Sequence, residues 1–174
     1  MHDFRLLGIA IRAPWLGFAE LDARGRLLDW GMIFYQRRTA DELRSAKRRL
    51  NAILARTNPT FIVIVLPGLK ANERIASVRS VARSLRAAAS RRSIQVVRLR
   101  RSAIRAAFAP CRARSKYQIA VALARAFPEV SQKLPPVPKF WEKEDSKMAL
   151  FDALAGAVAY DKHQSRDATC SKHA

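Results

Sequence analysis

Residues 61–66, Phe-Ile-Val-Ile-Val-Leu, restrict the possible folds more than any other segment of the chain. Every side chain in this run is apolar, so a strand built from it must be buried on both of its faces. Such a strand lies in the middle of a sheet that helices cover on each side. The segment therefore predicts an α/β fold with this strand at its centre.

Four further segments have the character of strands. Residues 4–11 form a short apolar run, and residues 17–22 alternate between apolar and polar side chains. A tight turn at residues 23–26, which contains a glycine, leads into a third strand over residues 27–34. Residues 94–99 predict the last strand. Together these segments predict a five-stranded mixed sheet, with three antiparallel strands followed by two parallel ones and helices on both faces.

Helical patterns fill the stretches between the later strands. Thr39 is expected to cap the first helix, with Glu42 as its capping-box partner, and this helix ends near residue 58. The prolines within residues 134–138 require an extended strap across the surface. The other predicted helices cover residues 71–89, 102–108, 115–126 and 145–160. The length fits one domain over residues 1–160, followed by a polar, mobile tail over residues 161–174.

The charge of the chain is strongly positive. It has 33 Lys and Arg against 14 Asp and Glu, a net charge of +19. Residues 74–128 contain 14 cations and no acid, and 13 of these cations are Arg, whose planar fork can hold a phosphate with two hydrogen bonds. Nucleic acid is the commonest partner of so basic a surface. The candidate contacts are Arg79, Arg83, Arg86, Arg91, Arg92, Arg100, Arg101, Arg105, Arg112, Arg114 and Lys116.

The alternative interpretation is an ordinary solvated surface in which Arg has replaced Lys. Such a surface normally places Glu near its Arg to gain pairing along a helix, and that compensation is missing here. No apolar run is long enough to span a membrane. The two cysteines, Cys111 and Cys170, lie far apart, and no export signal is visible at the N-terminus. These features predict a cytoplasmic protein.

Four stretches carry a resemblance to a known family: LLGIAIRAPWLGFAELDARGRLLDWG, FIVIVLP, RSKYQIAVALARAFPE and EKEDSKMALFDALAGAVAY. Over residues 4–160 the chain resembles the RuvC family of Holliday-junction resolvases, which have the ribonuclease-H-like fold. The resemblance implies branched DNA as the substrate, a homodimer, and carboxylates from two strands and the last helix that hold two Mg²⁺ ions for phosphodiester hydrolysis.

The acidic positions of that family are only partly filled in this chain. The acid of the first strand is replaced by Ala10, and the acid that ends the fourth strand falls on Leu66 or Pro67. Asp152 matches the acid of the last helix, with Asp145 and Glu144 one to two turns before it. Asp152 and Asp145 are therefore the remaining candidate catalytic residues and metal ligands. Asp145 and Glu144 also suit helix capping, and Asp152 could pair with Arg12.

Other candidate groups carry weaker signals. His163, Cys170 and His173 could ligate a metal, but they have no recognised ligand spacing. Aromatic side chains could stack on bases, although most are expected in the core or as anchors of the strap. These aromatic residues are Trp15, Phe34, Tyr35, Tyr117, Phe140 and Trp141.

Three functional hypotheses remain. The first is a RuvC-like domain that binds branched or structured DNA through its arginines, with cleavage lost or weakened. The second is an active Mg²⁺-dependent crossover junction endodeoxyribonuclease whose ligands are regrouped from Asp3, Glu20, Asp145 and Asp152. The third is an interaction module whose basic face binds an acidic protein.

Overall fold

The computed structural model describes residues 4–35, 40–66, 74–139, 141 and 144–170. The strands are β1 (Arg5–Ile11), β2 (Trp15–Asp22), β3 (Leu27–Phe34), β4 (Phe61–Val65) and β5 (Gln95–Leu99). The helices are α1 (Ala40–Thr57), α2 (Arg74–Ser90), α3 (Arg101–Phe108), α4 (Lys116–Ala126) and α5 (Met148–Cys170), with short 3₁₀ turns at Ala109–Cys111 and Pro128–Lys133.

The five strands form one mixed sheet in the order β3-β2-β1-β4-β5. β2 pairs antiparallel with both β1 and β3, whereas β1, β4 and β5 run parallel to one another. The register places Ala10 beside Val65, and Val65 beside Leu99. The three parallel strands therefore end together at one edge of the sheet. The predicted five-stranded mixed sheet and the ribonuclease-H-like fold class are confirmed.

Both faces of the sheet are covered, as the apolar run of β4 predicts. Ile62 and Ile64 pack with α1 and α2, while Val63 and Val65 pack with α3, α4 and α5. All four side chains are buried. Burial of an aliphatic side chain contributes about 1.5–3 kcal/mol, so β4 anchors the two helical layers to each other.

Helix α5 lies unusually close to β1 and β2. A Cβ atom at Gly8 would overlap the carbonyl oxygen of Ala153, and one at Gly17 would overlap that of Ala149. On the helix side, a Cβ atom at Gly156 would come within 2.5 Å of the Val65 side chain. Hydrogen at these positions lets the helix backbone rest directly on the sheet, which fixes the depth at which α5 sits.

Several predicted boundaries are wrong, the largest error being in the last helix. α5 begins at Met148 rather than at residue 145, because residues 145–147 form a turn that the Asp145 side chain holds. It also continues past Tyr160 to Cys170. Residues 161–170 contain neither Gly nor Pro, and the Gln164 amide donates to the Tyr160 hydroxyl at 2.9 Å. A polar composition does not prevent a helix.

The other boundaries agree within a few residues where the chain is described. Thr39, the predicted cap of α1, lies outside the described residues, as do residues 67–73 before α2 and residues 171–174 of the predicted tail. The mobility of the tail stays a prediction. In the described ranges, no helix combines the length and hydropathy that a membrane span requires.

Candidate nucleic-acid interface at the strand ends

At their shared edge of the sheet, neither β1 nor β4 ends in an acidic side chain in the described part of the chain. Ala10 is buried there, and Leu66 follows β4 as a half-buried aliphatic residue. Pro67, the other residue on which the family's acid could fall, lies outside the described residues. Neither Ala10 nor Leu66 has a side-chain oxygen, so these two strand ends supply no metal ligand.

Four charged side chains meet beside this edge, each from a different part of the fold. Arg12 follows β1, Lys116 opens α4, Glu144 precedes α5, and Asp152 lies in the second turn of α5. Because the glycine contacts hold α5 against the sheet, they also bring Asp152 to the strand ends. We call Arg12, Lys116, Glu144 and Asp152 the ion quartet.

Each cation of the ion quartet contacts both acids. The Lys116 Nζ atom donates to Asp152 Oδ2 at 2.9 Å and to Glu144 Oε1 at 2.7 Å. Arg12 donates from Nη1 to Asp152 Oδ2 at 3.4 Å and from Nη2 to Glu144 Oε2 at 2.5 Å. The predicted pairing of Arg12 with Asp152 is confirmed. The carboxylates of Asp152 and Glu144 are therefore already paired with positively charged side chains of the protein.

The position of Lys116 is set by the start of α4. The Ser115 hydroxyl accepts from the Gln118 backbone N–H at 3.1 Å, and Gln118 Oε1 accepts in return from the Ser115 N–H at 3.0 Å. This reciprocal capping box fixes the first turn of the helix. The ammonium group of Lys116 is thereby placed over the acids of α5.

Burial perturbs the Asp152 carboxyl. Its side chain is 16 % exposed, and burial raises its pKa to about 6. The Arg12 guanidinium opposes this rise in pKa, the nearby Glu144 carboxylate adds to it, and the Arg101 guanidinium also opposes it. Desolvation is the larger effect because the charged form of a buried acid loses its hydration. Burial therefore outweighs the neighbouring cations in setting the pKa of Asp152.

Asp145 does not join Asp152, although both are candidate catalytic residues from the sequence. Its Oδ1 atom accepts from the Lys147 backbone N–H at 2.8 Å and lies 3.5 Å from the Ser146 hydroxyl. Asp145 therefore holds the turn before α5, the structural role that its position also suggests. Glu144 takes its place beside Asp152. The sequence gives no signal for this exchange, because it depends on how the loop before α5 turns.

A pocket of about 40 Å³ opens next to the ion quartet, with room for about three water molecules. Ala10, Leu66 and Asp152 are among the residues that line it. We call it the strand-end pocket. Four cations also line it, two of which belong to the ion quartet; the four are Arg12, Arg101, Arg105 and Lys116.

The other predicted nucleic-acid contacts fall in four places. Arg100 follows β5 at the edge of the sheet where the strand-end pocket lies, and Arg112 and Arg114 lie in the connection to α4 near Lys116. In contrast, α2 packs on the opposite face of the sheet. Its exposed arginines are Arg79, Arg83 and Arg86. The remaining pair, Arg91 and Arg92, precedes β5 and so lies at the far end of the sheet.

The ligand set of the active-nuclease hypothesis is not brought together. Glu20 is buried on the α1 and α2 face, where it accepts from Arg5 at 3.1 Å, whereas Asp152 lies on the other face. Asp3 lies outside the described residues, and His163 is exposed on α5. Within the described ranges, no three His, Cys, Asp or Glu side chains are close enough to hold a metal ion. The side chains of Cys170 and His173 lie outside the described part of the molecule.

The aromatic candidates divide between core and surface. Tyr35 is buried, as expected, and Trp15 packs against Phe34 with ring centroids 4.7 Å apart. Tyr117 is half-buried beside the proline strap, whereas Trp141 is 80 % exposed. Phe140 lies outside the described residues. Of these aromatic residues, most of which are expected in the core or as strap anchors, Tyr35 lies in the core and Trp141 does not.

The fold of this chain is that of RuvC-type Holliday-junction resolvases. Thermus thermophilus RuvC aligns with a TM-score of 0.72 and 17 % identity over 94 % of this chain in two structures. The alignment covers 96 % of the RuvC chain in the structure in complex with a Holliday junction substrate and 97 % of it in the other structure. The yeast mitochondrial Holliday junction resolvase aligns with a TM-score of 0.68 and 15 % identity, over 94 % of this chain and 80 % of the resolvase chain. No protein-family model and no curated protein matches the sequence.

Proposed function

We propose that this protein binds nucleic acid, in particular branched DNA, and does not cleave it by two-metal hydrolysis. The ion quartet carries this proposal, because Arg12 and Lys116 occupy the two acids that remain near the strand ends. The proposal corresponds to the first of the three hypotheses that the sequence raises.

The residues present do not fit a pair of Mg²⁺ ions. Two-metal hydrolysis needs carboxylates that converge on ions about 4 Å apart. Ala10 and Leu66 offer no oxygen ligand, and both oxygens of Glu144 already accept from cations. A divalent ion entering here would be repelled by Arg12 and Lys116 at short range. The cations of the protein thus take the place that metal ions would need.

Two observations support nucleic acid as the partner. The strand-end pocket carries four cations, and Arg100, Arg112 and Arg114 extend the positive surface around it. T. thermophilus RuvC, which has the same fold along nearly the whole chain, is known in complex with a Holliday junction. Contacts to phosphate hold a protein on DNA without reading its sequence, so binding should depend on DNA shape and on salt.

The test is a gel assay with a labelled four-way junction and a linear duplex of equal length, in Mg²⁺, Mn²⁺ or EDTA. We expect a retarded junction complex whose strands stay intact under all three conditions. Affinity should fall steeply as salt rises, because bound phosphates release counterions. Metal-dependent incision that Asp152→Asn abolishes would establish the active nuclease instead. Binding that does not respond to salt would contradict a phosphate-contacting surface.

A four-way junction has two-fold symmetry, so the expected stoichiometry is two copies of the chain per junction. Light scattering of the free protein and of the complex measures this ratio. One copy per junction, at saturating protein, would contradict the expected homodimer.

A further inference from the structure

Glu144 differs from its partner acid in how firmly it is held. Asp152 is part of α5 and its side chain is 16 % exposed, whereas Glu144 precedes the helix and its side chain is 37 % exposed. Breaking the contacts of Glu144 therefore exposes its carboxylate to water without disturbing α5. Of the two acids in the ion quartet, Glu144 is the exchangeable one.

The carboxylate of Glu144 uses its two oxygens on two different cations. Oε2 accepts from Arg12 at 2.5 Å, and Oε1 accepts from Lys116 at 2.7 Å. The two non-bridging oxygens of a phosphodiester present the same pair of acceptors with one negative charge. Glu144 thus occupies Arg12 and Lys116 in the way that a nucleic-acid phosphate would.

Two further cations in the strand-end pocket are not occupied in this way. Arg101 and Arg105 are four residues apart on α3, so both side chains lie on one side of the helix. Neither has an acidic group within 4 Å among the described residues. Arg101 is the first residue of α3 and lines the pocket, so the positive end of this helix lies beside it, and the N-cap residue Arg100 makes no side-chain cap hydrogen bond.

We propose that the strand-end pocket binds one backbone phosphate of the nucleic acid, and that this phosphate displaces Glu144 from Arg12 and Lys116. Arg101 and Arg105 attract the phosphate, and Glu144 competes with it as an internal anion. Glu144 therefore weakens nucleic-acid binding, although it lies within the binding surface. This inference rests on the proposed function and deepens it.

The first experiment removes the competing charge. The dissociation constant of a labelled four-way junction is measured for the wild type and for Glu144→Gln over a series of salt concentrations. We expect Glu144→Gln to bind about fivefold more tightly, because the pocket no longer has to release an internal anion. The slope of log affinity against log salt should steepen by about 1.

The matched control is Glu129→Gln. Glu129 is an exposed acid in the 3₁₀ turn Pro128–Lys133, beyond the opposite end of α4 from Lys116. Its substitution changes the net charge equally but leaves the ion quartet intact. If both variants gain the same affinity, the effect is one of net charge and the competition by Glu144 is refuted.

The second experiment removes the pocket arginines. Arg101→Ala/Arg105→Ala should weaken junction binding by roughly ten- to a hundredfold, because the variant loses charge-assisted hydrogen bonds to the phosphate. Its control is Arg48→Ala/Arg49→Ala, which removes two exposed arginines from α1 on the opposite face of the sheet. Equal losses in the two double variants would overturn the phosphate site. All four side chains are exposed, and thermal melting verifies that each variant is folded.

Junction binding by the wild type and by Glu144→Gln separates failure of the proposed function from failure of the competition by Glu144. If the wild type binds neither junction nor duplex, the proposed function is wrong. If the wild type binds but Glu144→Gln behaves like Glu129→Gln, the nucleic-acid function stands and the competition by Glu144 is wrong.

Discussion

The pH dependence of stability tests whether burial or the neighbouring cations have the larger effect on the pKa of Asp152. Its pKa in the folded protein is about 6, against the ordinary value of 3.8. The folded state therefore binds this proton more tightly than the unfolded state does. As the pH rises from below 4 to above 6, ionisation of Asp152 should lower the free energy of unfolding by about 3 kcal/mol, at 1.36 kcal/mol per pKa unit.

Asp152→Asn removes this ionisation and preserves the size of the side chain. Urea denaturation of both proteins, followed by tryptophan fluorescence between pH 4 and pH 7, gives the two stability curves. We expect the wild type to lose stability relative to the variant as the pH rises. If the wild type instead gains stability relative to Asp152→Asn, the ion pairs outweigh burial and lower the pKa of Asp152.

Asp22→Asn provides a control with the opposite sign. The Asp22 carboxylate accepts from the backbone N–H groups of Arg24 and Arg26 and from the Arg26 side chain, and the bond from the Arg26 backbone is the main reason that its pKa is lowered. Its stabilising contribution is present above the ordinary pKa of 3.8 and is lost as the pH falls through the lower folded value. Asp22→Asn should therefore destabilise the protein more at neutral pH than in acid.

Three further predictions concern the packing of α5 against the sheet and the charges of the site. Gly17→Ala should destabilise the protein by at least about 2 kcal/mol, because the new methyl group overlaps the Ala149 backbone; a smaller loss in urea denaturation would mean that α5 can shift. Lys116→Met should cost about 2 kcal/mol, since Glu144 and Asp152 are left with one cation; no loss would mean that Lys116 is dispensable for folding. Neither Mg²⁺ nor EDTA should change the melting temperature, whereas stabilisation by Mg²⁺ would reveal a metal site.

Local patterns predict much of the fold because they record burial directly. The apolar run of β4 indicates a strand with two covered faces, and the structure has it at the centre of the sheet. The length of α5 beyond Tyr160 could not be predicted in the same way. A polar segment shows that it is exposed to water, and exposure is compatible with both a helix and a coil.

The candidate site was only partly predictable. The absence of acids at Ala10 and Leu66 and the pairing of Arg12 with Asp152 follow from aligning the strands and the last helix with a known pattern. The contacts of Glu144 depend on the path of a loop, which no periodicity encodes. Residues 74–128, which contain no acid, form one continuous basic segment in the sequence. Their arginines nevertheless lie on different faces of the sheet, because β5 separates α2 from α3.

The residues that pack α5 closely against Gly8 and Gly17 are different from the residues that carry the charges of the site. The residues that fix the helix in place are hydrogen and methyl side chains, and none of them belongs to the ion quartet. Ala10 and Leu66, at the strand ends, take no part in the close contacts at Gly8 and Gly17. The place of Asp152 at the strand ends is therefore set by small residues, separately from the charged side chains that it contacts.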